Sequence, residues 1–206
     1  MSSQRPRGAP QRKITSRAKR LSLQAFTEGE ATEVIYLTHW NRLYRNVTLV
    51  HVSPFHGDPL SLVREACDQK KRDLREAKRG RGDAYDQYWC AFDVNSHQRI
   101  PEALDMAAAN GVEIALTNPC IELWFVLHLE EQTAELDRFA AQKRAKELLG
   151  CGKRLTAPAL AVLEANHDAA VNRAKANTIR HLGNGLEELA NPASSMWRLV
   201  ETIRNG

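Results

Sequence analysis

Nowhere in this sequence do ~18 apolar residues run together, so no segment reads as a membrane span. The basic N-terminal stretch also lacks the apolar centre of a secretory signal, so export is not expected and a cytosolic location is. Cysteine is sparse: Cys67, Cys90, Cys120 and Cys151 stand far apart, with no C-x-x-C pair. That spacing argues against a zinc site or a disulfide framework and predicts reduced, mostly buried thiols. No internal repeat is visible. What is present, 206 residues with 43% hydrophobic and 26% charged side chains, fits one ordinary globular domain with modest appendages.

Acidic side chains are missing from residues 1–20, which hold Arg5, Arg7, Arg12, Lys13, Arg17, Lys19 and Arg20. Removing these seven from the 29 Lys and Arg leaves 22 against 25 acidic residues. The overall charge of +4 therefore comes from a basic arm, not a basic fold. Pro6, Gly8 and Pro10 break any helix there, so the stretch reads as a flexible arm. It would either engage phosphate backbones or serve only as a solubilising tail.

Beyond the arm, apolar strands alternate with helical patterns. Leu21–Thr27 reads as a strand, Glu30–Arg45 as a helix and Asn46–Val52 as a β-branched strand. Asp58–Arg79 opens with a cap-then-proline signal and reads as a helix, followed by a strand over Tyr85–Asp93 expected to be buried on both faces. Pro101–Asn110 is an alanine-rich helix stopped at Asn110-Gly111, and Val112–Leu116 a fourth strand. Thr117 or Asn118 then caps a helix opened by Pro119, with further helices over Ala134–Leu149, Pro158–Ala176 and Ser194–Arg204. The alternation predicts a mainly parallel four-stranded sheet with helices on both faces and a helical C-terminal region. In domain terms, 1–20 is the arm, 21–130 the α/β core and 131–206 the helical region packed on it.

Three acidic segments mark strand exits: Phe26-Thr27-Glu28-Gly29-Glu30, Ala91-Phe92-Asp93-Val94-Asn95 and Asn118-Pro119-Cys120-Ile121-Glu122. In an open α/β sheet the strand C-termini share one edge, where ligands bind. Converging carboxylates there suit a divalent cation and a phosphate substrate. Glu28 ends an apolar strand beside Gly29, which lets a ligand approach, whereas plain helix capping explains Glu30 and Glu33 well. Asp93 is the strongest candidate, with Asn95 two residues on and able to point the same way. The bland alternative for that pair is an Asx-turn. Glu122 either faces solvent or lines the cleft, while His128, deeper in the same apolar helix, reads as a satisfied core histidine. His97 is a proton shuttle, a phosphate contact or an exposed loop residue.

The other signal is Lys70–Arg81, with seven basic residues against two acidic ones. Lys70, Lys71, Arg72, Arg75, Lys78 and Arg79 would make a positive face next to the acidic edge, or simply a solvated helix surface. No aromatic residue is interleaved with them, which argues against single-strand stacking as the binding mode.

Four stretches together resemble the RloB family of phage-defence proteins, whose core resembles the Toprim fold. They are Thr27-Glu28-Gly29-Glu30-Ala31-Thr32-Glu33-Val34-Ile35-Tyr36, Phe92-Asp93-Val94-Asn95-Ser96-His97, Thr117-Asn118-Pro119-Cys120-Ile121-Glu122-Leu123-Trp124 and Asn191-Pro192-Ala193-Ser194-Ser195-Met196-Trp197-Arg198-Leu199-Val200. The resemblance implies a Toprim-like α/β core in a cytosolic defence protein, linked to an ATPase partner of the RloA or AbiL type. Toprim-like proteins hold Mg²⁺ (or Mn²⁺) with a strand-end glutamate and a D-x-D pair, positions matched here by Glu28, Asp93 and Asn95. The Asn removes one negative charge from that set and should weaken metal binding.

The function implied is a metal-dependent nuclease, with Glu28, Asp93 and Asn95 on the metal and Glu122 binding metal or orienting water. The Lys70–Arg79 residues and His97 would hold DNA or RNA, tRNA included. The alternative is a non-catalytic adaptor or sensor subunit of an ATPase-containing defence complex. A phosphatase-like hydrolase of small phosphoesters shares the Asp-x-Asn geometry but has no small-substrate pocket signal in the sequence.

Overall fold

Strands that are apolar on both sides need cover on both sides, and this requirement organises the molecule. The computed structural model describes residues 20–94 and 99–206. Most of the basic arm, together with Asn95 and His97, lies outside the described residues. Four parallel strands, β1 (Leu21–Thr27), β2 (Thr48–Pro54), β3 (Gln87–Asp93) and β4 (Glu113–Asn118), form a sheet in the order β2-β1-β3-β4. A fifth strand, β5 (Ala193–Ser194), is antiparallel to β4 and was not expected from the sequence. Two residues are too short to show a period, and the following helix masks them.

Between the strands run α1 (Thr32–Tyr44), α2 (Pro59–Lys78) and α3 (Ile100–Asn110). The α2 start behaves as its sequence predicts, since Asp58 accepts the backbone N–H groups of Leu60 and Ser61. Gly111 closes α3 at φ 61°, where a side chain would be strained. The helix α4 (Ile121–Leu129) differs from expectation. Pro119 stands outside it behind a cis peptide, and Cys120 is the N-cap, with no side-chain cap bond.

The C-terminal region comprises α5 (Arg138–Leu149), α6 (Ala157–Ala165), α7 (His167–Gly183) and α8 (Met196–Asn205). The single helix expected over Pro158–Ala176 is two, broken at Asn166. Its side chain turns back onto the Val162 carbonyl, the kind of local bond by which Asn competes with helix.

Alternation along β3 distributes the cover. Tyr88, Cys90 and Phe92 join a core with α2 and α3, while Trp89 and Ala91 face the larger core with α1, α4, α7 and α8. That larger core centres on fully buried Tyr36, Trp40 and Trp124, with the Trp124 indole donating to the Tyr36 hydroxyl at 2.8 Å. Truncating either indole to Ala costs about 3–5 kcal/mol. Helix α4 is buried nearly all round, so the sheet and the C-terminal helices share one core through it.

Candidate functional site

The backbone of the acidic edge is pinned by the sheet itself. Past the end of β1, the Glu28 N–H donates to the Ala91 carbonyl at 3.0 Å, and past β3 the Val94 N–H donates to Thr117 at 2.9 Å. Glu28 and Asp93 therefore leave adjacent strands at the same edge. The two meet directly: the Asp93 N–H donates to Glu28 Oε2 at 3.2 Å.

Two further carboxylates join them. Glu33, in the first turn of α1, is buried, and its carboxylate lies against the Cα of Gly29. Glu122, in the first turn of α4, is half-buried. These four acids share a cleft of about 340 Å³ with Arg138, Gln142 and Lys153. Burial and then the charges of Glu33, Glu28 and Glu122 push the Asp93 carboxyl well above the usual range, opposed by the Ile121 N–H at the start of α4. Glu33 is raised by burial first; its own N–H opposes that, while Glu122 and Glu28 add to it. The Lys153 ammonium offsets part of the crowding at Glu33.

The cations of the cleft come from the C-terminal region. Arg138 opens α5, and Lys153 sits in the loop before α6. The Thr32 hydroxyl donates to the Lys153 carbonyl at 2.8 Å, which fastens that loop over the start of α1. Among the described residues neither Arg138 nor Lys153 makes an ion pair, and Arg138 Nε is buried without a hydrogen-bond partner. The sequence reading did not find these two residues, since nothing near them in the chain marks them out. Glu30 also lines the cleft and pairs with His56.

The basic run does not join this site. Helix α2 starts at the strand C-terminal edge and runs back, so Lys70, Lys71, Arg72, Arg75, Lys78 and Arg79 lie towards the opposite edge. Lys70 Nζ donates to the Asn110 and Gly111 carbonyls at 2.8 and 2.6 Å, just before β4 begins. Arg72 pairs with Glu65, Arg79 with Glu76, and Lys71 lies 3.9 Å from Asp68. The expectation of a positive face beside the acidic edge fails because a β-α-β crossover returns the helix to where the next strand starts.

Residues 25–203 match the RloB-like protein family, well over half of the sequence. The chain belongs to the RloB-like family. No curated protein and no solved structure gives a significant match. The mostly parallel sheet with helices around it agrees with the Toprim-like α/β class.

A separate group of ligand-type side chains lies where the start of α7 meets α8. His167, Asp168 and Glu201 bring ligand atoms within 4.8 Å of one another, a spacing that suits a cation. Arg204 already contacts Asp168 and Glu201 at 2.8 Å each, and His167 Nε2 lies 3.0 Å from Glu201. An arginine in that position competes with any metal. Among the described residues, no three carboxylates of the acidic cleft form such a group. His128 is a core histidine but only half satisfied: its Nδ1 lies 2.8 Å from the Trp124 carbonyl, its buried Nε2 has no hydrogen-bond partner among the described residues, and burial lowers its pKa to about 3.

Proposed function

We propose that this RloB-like protein is a metal-dependent nuclease, the effector of an anti-phage system working with an ATPase partner in the cytosol. One observation carries the reading: four carboxylates from β1, α1, β3 and α4 meet in one cleft, and three of them raise the pKa of the fourth. The donor set fits Mg²⁺ or Mn²⁺, because hard carboxylate oxygens on a rigid strand edge are what such ions take. Glu28 and Asp93 would hold the ion, with Asn95, outside the described residues, completing the set. Bound there, the ion would polarise a phosphoryl oxygen and lower the pKa of water.

The remaining roles fall to side chains. Glu122 takes the proton of the attacking water as its oxygen bonds to phosphorus, and the departing ester oxygen leaves with a proton from solvent. Arg138 and Lys153 neutralise the non-bridging oxygens, where an unpaired guanidinium is the better fork. Substrates are DNA or RNA, tRNA included. The purified protein with Mg²⁺ or Mn²⁺, with and without its ATPase, is expected to cut one of these and Asp93→Ala none. No cleavage of any of them sinks the enzyme.

One observation favours a non-catalytic adaptor in the same complex: among the described residues, no three carboxylates of the cleft lie at metal-binding spacing. Phage protection separates the two. An Asp93→Ala or Glu28→Ala protein that folds, binds its partner and still protects is an adaptor; loss of protection with partner binding intact is catalysis.

A further inference from the structure

Beside the acidic cleft lies a second cavity of about 190 Å³, between α4, α5 and the loop that carries Lys153. Its walls are Phe125, Ala145, Leu149 and Leu155, and Gln142 and Lys146 stand among them. Thr32, Glu122, Gln142 and Lys153 line both spaces, so the apolar cavity opens directly onto the charged one. At this size it falls below the ~300–1,000 Å³ of drug-sized pockets and has room for one ring system. The Gln142 side-chain amide makes no hydrogen bond among the described residues, leaving a donor and an acceptor for the edge of a heterocycle.

The geometry points to a single nucleotide site, with the phosphate in the acidic cleft and the attached base in the apolar cavity. This rests on reading the cleft as a phosphodiester site and adds a preference to it. A base enters such a cavity only when it is out of the stack, so unpaired nucleotides in single strands, loops or bulges are the targets and intact duplex is disfavoured. A base occupying this cavity needs no row of aromatic side chains, so the absence of aromatics from the Lys70–Arg81 run is no obstacle.

Cys151 provides the test. It lines the apolar cavity and is half-buried, whereas Cys67, Cys90 and Cys120 are buried. Alkylation of Cys151 by N-ethylmaleimide is followed by mass spectrometry of the native full chain in Ca²⁺, with each nucleoside 5′-monophosphate or with inorganic phosphate. At least one nucleotide is expected to slow the reaction about tenfold when present about tenfold above its Kd. Inorganic phosphate should leave the rate unchanged. A Leu149→Trp protein with unaltered melting should react but lose the protection. If no nucleotide protects, or phosphate protects equally, or folded Leu149→Trp stays protected, the base site is overturned. Mn²⁺ binding and cleavage, measured separately, distinguish the two ideas: cleavage without protection removes only the base site. Protection without metal-dependent cleavage upholds the base site and removes the nuclease.

Discussion

The Glu33 carboxylate fills the space that a side chain on Gly29 would need. The Gly29 backbone is not left-handed, so glycine is required there by this neighbour and not by its own conformation. Gly29→Ala should push Glu33 out of the cleft without harming β1. Mn²⁺ affinity by calorimetry is expected to fall about 10–100-fold, the usual loss when a group supporting a metal site is displaced. Unchanged affinity would remove Glu33 from the site.

Asp93→Asn should stabilise the metal-free protein while abolishing cleavage. Burial and three acids raise the folded pKa of Asp93 well above its ordinary 3.8, so its stability contribution is intact below 3.8 and lost as pH rises through the folded value. Asn keeps an acceptor for the Ile121 N–H and removes the charge. Thermal melts at pH 7 should show the variant above wild type, by about 2–4 °C for each kcal/mol of repulsion relieved in a domain of this size. An equal or lower Tm contradicts the account of Asp93 as a carboxyl crowded by its acidic neighbours.

Metal binding must strip the proton from that same carboxyl. Mn²⁺ affinity should therefore climb with pH, by up to about tenfold per unit until the folded Asp93 pKa is passed, with protons released on binding. Calorimetry in buffers of different ionisation enthalpy reads the proton count directly. A pH-independent affinity places the ion elsewhere.

Charge reversal on α2 is expected to spare the chemistry. Lys71→Glu and Arg75→Glu should leave single-turnover cleavage of a short oligonucleotide unchanged, whereas Arg138→Ala or Lys153→Ala should slow it about 10²-fold, the scale of losing one oxyanion donor. If the α2 variants are the slow ones, the nucleic acid runs along the opposite edge of the sheet. Lys70→Ala should cost stability alone, about 0.3–1 kcal/mol, through the C-terminus of α3.

His128 makes the fold acid-sensitive. Its folded pKa of about 3 lies below the ordinary 6.5, so stability present above pH 6.5 drains away as pH falls towards 3. From pH 7.5 to 5.5 this one group removes about 1.4 kcal/mol. In urea melts, His128→Leu should shrink the difference between those two pH values by that amount, and an undiminished difference would assign the sensitivity to other groups.

Local signals in the chain were reliable where local physics decides the outcome. Leu21–Thr27 is the first strand as read, Asp58 caps α2, and Gly111 ends α3. Glu28 and Asp93 were legible as neighbours because parallel strands share an exit edge. Glu33 was undervalued as a helix-end acid; only the fold of the β1–α1 turn shows its carboxylate laid over Gly29. Arg138, Lys153 and the apolar cavity are tertiary products, assembled from α4, α5 and a loop more than a hundred residues from β1. The placement of the α2 cations was within reach, since a helix that leaves a strand end must travel back before the next parallel strand begins.

Ser195 exchanges hydrogen bonds with Leu116, and β5 covers the outer side of β4. During synthesis, β4 therefore leaves the ribosome long before the residues that shield it, and its bare flank can pair with other chains in the interval. A message cut short near its 3′ end would accordingly yield a self-adhesive sheet bound for clumping or degradation, not an unrestrained fragment at large.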